Sequence, residues 1–252
     1  MEPYIVRRSI RIVKVLGVHG KLKLREMLVA FFSKNERMKI LDSYRELGIL
    51  EARKYFVVEP ESEKYPFLET FIFGIYKFFD YRGKTVIDVG AQTGDSVLYF
   101  SHQGAKMIYA FEPLKNNFII LEKNVTQNKI NCTCYNIGLG DITKNIDTAV
   151  SGSMATATPI TDSLEHEHIK IDRLDNLNIY ADIIKIDVEG SETEVLKGGL
   201  NTIKNAKTII IETHSKNLQV EVAKLLSGTG LCLSQIIRNY TARNVRVEYW
   251  FK

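Results

Sequence analysis

Three cysteines in 252 residues exclude a disulfide framework. The number is odd, and no second cysteine pair completes a zinc site. Cys132 and Cys134 alternate within an apolar run, as strand residues do, which argues for a reducing, cytoplasmic setting. No stretch approaches the length of apolar sequence a membrane span needs. The greasiest segment, "PFLETFIFGIYKFF" (66–79), is too short and carries Glu69 and Lys77. The N-terminus, "MEPYIVRRSIRIVKVLGV", has scattered basic residues and lacks a clean apolar block or cleavage site, so no signal peptide is expected. Internal repeats and low-complexity tracts are absent. A strong charge of one sign is absent too, since the net charge is +4. Its placement is uneven: residues 1–60 hold 13 Lys and Arg against 7 Asp and Glu. Such a segment suits an acidic acceptor, nucleic acid or a membrane surface, or is simply a solvated helix face.

What is present divides into two patterns. Residues 1–65 read as a helical N-terminal extension, because "KLREMLVAFF" and "ERMKILDSYRELGIL" space apolar residues by three and four. "KYFVVEP" is a short strand-like piece, and the 66–79 segment is expected as a buried helix. From residue 84 strands alternate with helices, so 66–252 is expected to be one α/β domain. Strands are expected at 84–90, 106–113, 131–141, 181–190 and 207–214, with a short strand or turn at "HIKIDRLDNL". "SGSMATATP" (151–159) is expected as a loop over the acceptor entrance. "SETEVLKGG" predicts a helix with a Ser191–Glu194 capping box. The tail, "LCLSQIIR" and "NVRVEYWF", predicts a hairpin at the sheet edge. Apolar strands separated by helices mean a doubly wound, mostly parallel, Rossmann-like sheet with an antiparallel C-terminal hairpin strand. Ligands bind such sheets at the carboxyl ends of the strands, where the order reverses.

The first of those ends is "TVIDVGAQTGDS". Gly90 and Gly94 remove side chains where a ligand approaches backbone, and Asp95 or Ser96 can cap the next helix. The spacing is not the G-x-G-x-x-G of a pyrophosphate site, which puts an NAD oxidoreductase last. Asp88 argues the same way, since its carboxylate would repel phosphate and suits a cationic ligand. The second strand ends in "AFEP", where Glu112 can accept hydrogen bonds from ribose hydroxyls. A ribose plus a cationic amino-acid end, without phosphates, describes S-adenosylmethionine. In "KIDVEG", Lys185, Asp187 and Glu189 share a face if the strand stays extended. "IETH" adds Glu212 and His214, and an imidazole at its ordinary pKa makes His214 a candidate base.

"VIDVGAQTG", "AFEP", "IGLGD", "IDRLDNL", "IIKIDVEGSETEVLKGG" and "IIIETH" stand in one order and together resemble the FkbM-type family of S-adenosylmethionine-dependent methyltransferases. The likeness covers about residues 84–215, and "KIDVEGSETEVLKGG" is its most specific piece. Gln92 stands where the family more often shows Asn. The resemblance implies a seven-stranded sheet whose last strand is antiparallel. It implies cofactor contacts from Asp88, Gly90, Ala91, Gln92, Gly94 and Ser96 at the methionine end. Glu112 and Pro113 fall at the ribose, Gly138, Leu139 and Asp141 by the adenine, and Asp187 at the reaction centre. It also implies methylation of a hydroxyl oxygen on a sugar or small metabolite.

The expected catalytic set is Asp187, Glu189 and His214 as base candidates, with Lys185 orienting a carboxylate. No metal is called for, although Asp187 and Glu189 are the pair that would hold one. Two rivals stand beside this reading. One is an RNA methyltransferase using the basic segment 1–60; the other is a nucleoside-binding scaffold without turnover. The N-terminal helices are expected either to recognise the acceptor or to build a homodimer.

Overall fold

The computed structural model describes residues 70, 75–150, 157–158, 165–238 and 245–252. The helices and strand read at 1–60, most of the aromatic segment 66–79 and most of the loop 151–159 lie outside the described residues. The chain divides into Met1–Lys77 and Phe78–Lys252, and the second unit carries the sheet.

That sheet has seven strands: β1 (Thr85–Val89), β2 (Met107–Phe111), β3 (Cys132–Tyr135), β8 (Ile183–Ile186), β9 (Thr208–Thr213), β10 (Cys232–Arg238) and β11 (Arg246–Phe251). Their spatial order is β10-β11-β9-β8-β1-β2-β3. Only β11 runs against its neighbours, pairing antiparallel with both β9 and β10. The expected hairpin therefore forms with its members exchanged. The antiparallel β11 sits inside the sheet and β10 is the edge strand. The reason lies in the side chains: β11 buries Val247, Tyr249 and Trp250, whereas β10 leaves Leu233 and Ile236 partly exposed. β8 is buried over its whole length because it lies between β1 and β9, with α/β packing on both faces. Ile87, Val89, Ile184, Ile186, Ile209 and Ile211 form one core with Leu196, Val222 and Leu226 from the covering helices.

Five α-helices are described: α1 (Asp95–His102), α2 (Lys115–Gln127), α3 (Glu192–Gly198), α4 (Leu200–Asn205) and α5 (Lys216–Ser227). Ser215 caps α5, its Oγ accepting from Leu218 N. The capping box expected at α3 does not form: Ser191 makes no side-chain cap bond, and Glu194 accepts from Thr193 Oγ1 instead.

The largest departure lies between β3 and β8. The strand expected at 131–141 breaks at Asn136, and its end leaves the main sheet as β4 (Gly138–Leu139). With β5 (Lys144–Val150), β6 (Ala157–Thr158) and β7 (Glu165–Asp172) it forms a second sheet of order β4-β7-β5-β6. Residues 157–158, expected within a loop, thus belong to a strand. Among the described residues the only helical piece in this crossover is a single turn of 3₁₀-helix, Leu174–Leu177. The small sheet packs Ile146, Ile169 and Ile171 against Leu114, just past β2. Residues 75–79, expected to end a helix, form turns. Phe78 and Phe79 pack their rings on Tyr249, and Phe79 also on Phe251, which makes this part of the aromatic segment core.

Candidate active site at the strand tips

The sheet order reverses between β1 and β8, so the tips of β1, β2, β8 and β9 frame the crevice where α/β sheets bind ligands. At β1 the backbone turns sharply. Gly90 and Gly94 both have positive φ, +79° and +98°. A Cβ on Gly90 would lie 1.8 Å from the Asp187 carbonyl oxygen, and one on Gly94 would lie 2.9 Å from Leu121 Cδ1. The glycines admit the chain's own β8 tip and α2, where a ligand was expected to approach. The amides of Gly90 and Ala91 both donate to Phe111 O at 3.0 Å, which ties this turn to β2. Asn124 Nδ2 holds the same turn through Thr93 O at 2.7 Å.

Asp88 is fully buried, with Ser96 Oγ donating to its Oδ2 at 2.5 Å and Lys185 Nζ 3.1 Å from its Oδ1. Ser96 thus serves Asp88, and no side chain caps α1. Lys185 also donates to Gly90 O at 2.7 Å and lies 3.9 Å from Asp187 Oδ2. Burial alone would lower its pKa, but the carboxylates of Asp88, Asp187 and Asp95 outweigh that and raise it. A lysine held so firmly as an ammonium orients its neighbours and takes no proton.

Glu112, at the tip of β2, is 4% exposed. Its Oε2 accepts from Gln92 N at 3.0 Å, and its Oε1 from Leu114 N at 3.0 Å and Asn117 Nδ2 at 3.4 Å. Burial pushes its pKa up to about 7, with these hydrogen bonds pulling the other way. Gln92 itself sits at φ +49°, in the left-handed region. Asn136 Nδ2 donates to both Glu112 O and Pro113 O at 2.9 Å. Gly138 adjoins Pro113, where a Cβ would come within 3.5 Å of its ring. Leu139 turns into the core, and Asp141 lies against Gly198 at the end of α3. Of the residues the resemblance points to here, Gln92 and Pro113 are partly exposed, while Glu112, Gly138, Asp88, Ala91 and Leu139 are buried.

β8 ends at Ile186, so Lys185, Asp187 and Glu189 do not share an extended strand. Glu189 lies at φ +52° in the turn beyond. The charged groups meet all the same, around His214 one residue past β9. His214 Nε2 is 3.3 Å from Glu189 Oε2 and 3.8 Å from Asp187 Oδ1. On the other side its Nδ1 donates to Glu192 Oε1 at 2.7 Å. Burial would lower the imidazole pKa, but the bond to Glu192 and the charges of Asp187 and Glu189 carry it up to about 9. The expectation of an imidazole at its ordinary pKa is therefore corrected. Glu192 escaped the sequence reading, as did Asn117 and Asn136. The one signal for Glu192 was an acid in the first turn of a helix directly after a charged strand tip.

Residues 88–230 match the family defined as the methyltransferase FkbM domain. The chain belongs to that family. A hexuronic acid methyltransferase of Haloferax volcanii is 29% identical over 149 residues, covering 57% of this chain and 62% of that protein. Solved structures of two other methyltransferases resemble this FkbM-type chain at low identity. A ribosomal protein L11 methylase of Lactobacillus delbrueckii subsp. bulgaricus is 13% identical, with TM-score 0.46 over 83% of this chain and 77% of that one. A precorrin-6y C5,15-methyltransferase of Geobacter metallireducens is 12% identical, with TM-score 0.46 over 80% and 93%. Among the described residues no helix is long and apolar enough to cross a membrane.

Proposed function

We propose that this methyltransferase uses S-adenosylmethionine and methylates a hydroxyl oxygen of a saccharide or small metabolite. The observation that carries the cofactor reading is Glu112. A carboxylate has about four lone-pair sites. Here three are taken by Gln92 N, Leu114 N and Asn117, which leaves Oε2 able to accept from a ribose hydroxyl. The rest of the donor set fits the same ligand. The Asp88–Lys185 pair neutralises itself at the β1 turn and leaves no cationic cradle for phosphates. When bound, the cofactor supplies a methyl group already activated on a sulfonium.

The chain's own residues then have defined tasks. Glu112 and the Gln92 turn hold the nucleoside end. Lys185 fixes the carbonyl of Gly90 and so the shape of the turn. Asp187 and Glu189 face the acceptor and take its hydroxyl proton, while His214, already protonated, holds the two carboxylates in place. Alignment in a dry crevice supplies most of the remaining acceleration. The saccharide preference is supported by the hexuronic acid methyltransferase and by a polar, partly exposed cluster suited to hydroxyl groups. The three free cysteines agree with a cytoplasmic setting.

The test is calorimetric titration with S-adenosylmethionine on wild type and Glu112→Ala, followed by methyl transfer from labelled cofactor to uronic acids and neutral sugars. Binding to wild type that is lost in the variant supports the reading. Absence of binding to wild type overturns it.

A further inference from the structure

We propose that Asp187, Glu189 and His214 form a site for one divalent cation of the first transition row. The acceptor role of the cluster rests on the reading above, whereas the presence of the metal site does not. Each residue offers a ligand atom, and these atoms all lie within 4.8 Å of one another. Two carboxylate oxygens and an imidazole nitrogen suit Mn²⁺, Co²⁺ or Zn²⁺ better than Mg²⁺ or Ca²⁺, which favour oxygen alone. The sequence reading weighed only the carboxylate pair and called for no metal. The structure adds a nitrogen donor from a different strand.

An independent observation comes from Glu192. It is fully buried, and its Oε1 accepts from both His214 Nδ1 and Gly190 N. Its Oε2 is buried without a hydrogen-bond partner. A carboxylate in that position is costly unless positive charge lies close by. Glu192 also fixes the ring: with Nδ1–H bound to Glu192, Nε2 faces Asp187 and Glu189, and an ion binding there displaces the Nε2 proton. Metal-ligating histidines carry such a carboxylate on the far nitrogen. Charge points the same way. Asp88, Asp187, Glu189 and Glu192 surround Lys185 and His214, so four acids face at most two cations. With His214 neutral as a ligand, Lys185 alone would face the four acids, and a divalent cation reduces that excess from three negative charges to one. Access is open, since the Glu189 side chain is 58% exposed. Three protein donors leave coordination positions for water or for paired oxygens of an acceptor.

The experiment titrates Mn²⁺ into the full chain, without cofactor, and follows free and bound ion by electron paramagnetic resonance. One ion per chain is expected, with nitrogen coupling in the pulsed spectrum. Glu189→Gln should weaken binding at least tenfold, and His214→Gln should abolish the nitrogen coupling. Glu189 is exposed enough that its replacement leaves folding intact, which a thermal unfolding curve checks. No bound ion at millimolar Mn²⁺, binding unchanged in Glu189→Gln, or bound ion without nitrogen coupling each overturns the proposal. Calorimetry with S-adenosylmethionine on the same samples separates the two readings. Cofactor binding without Mn²⁺ leaves the methyltransferase reading standing and removes the metal. Mn²⁺ binding without cofactor does the reverse.

Discussion

Under the proposed function, Glu112 couples cofactor binding to pH. Its pKa is raised to about 7 by burial. If, as proposed, a ribose hydroxyl donates to the ionised carboxylate, S-adenosylmethionine affinity should fall as pH drops through about 7. In Glu112→Gln that dependence should flatten, and titrations at pH 6 and pH 8 check both. Stability moves the opposite way. A folded pKa above the unfolded value contributes stability that is complete below the unfolded value and lost as pH rises through about 7. Without cofactor, Glu112→Gln should therefore unfold no sooner than wild type at pH 8. Lys185 gives a second residue-scale prediction. Lys185→Met strips the counter-ion from a fully buried Asp88 and should cost about 3–5 kcal/mol in urea unfolding. Adding Asp88→Asn should recover much of that loss; equal instability of the double variant would mean that Lys185 acts mainly through Gly90 O.

Among the elements, the β1–α1 turn is the most constrained. Gly90→Ala places a methyl group 1.8 Å from the Asp187 carbonyl and demands a left-handed alanine. A loss of about 3 kcal/mol or more is expected, and urea unfolding measures it. Ser215→Ala removes the α5 cap and should cost about 1 kcal/mol by the same assay. The strand–helix alternation of β1, β2, β8 and β9 was legible because each strand is apolar on both faces and closed by Gly, Pro or charge. The tips were legible for the same reason, since Asp88, Glu112, Asp187 and His214 interrupt apolar runs. The second sheet was not legible. β5 and β7 expose Lys144, Asn145, Asp147, His166 and His168, so their apolar residues are too sparse to announce strands. Nor could spacing show that the glycines serve contacts with Asp187 and Leu121, because those partners are distant in sequence.

For the whole molecule, protection should follow sheet order. β1, β8 and β9 lie at the centre and β10 at the edge. Amide hydrogen exchange should be slowest in Ile87–Val89, Ile184–Ile186 and Ile209–Ile211, and fastest in β10. Uniform exchange across the sheet would contradict that gradient. The sheet order has one more consequence, in time. Asp88 waits for Lys185, which lies 97 residues further along the chain, and His214 comes later still. A nascent chain emerging from the ribosome can pair β1 with β2 and β2 with β3, yet it leaves Asp88 as an unopposed charge on an open strand edge until β8 arrives. The small sheet of β4–β7 is synthesised in that interval. Its local antiparallel pairing can form while β1 still lacks its partner.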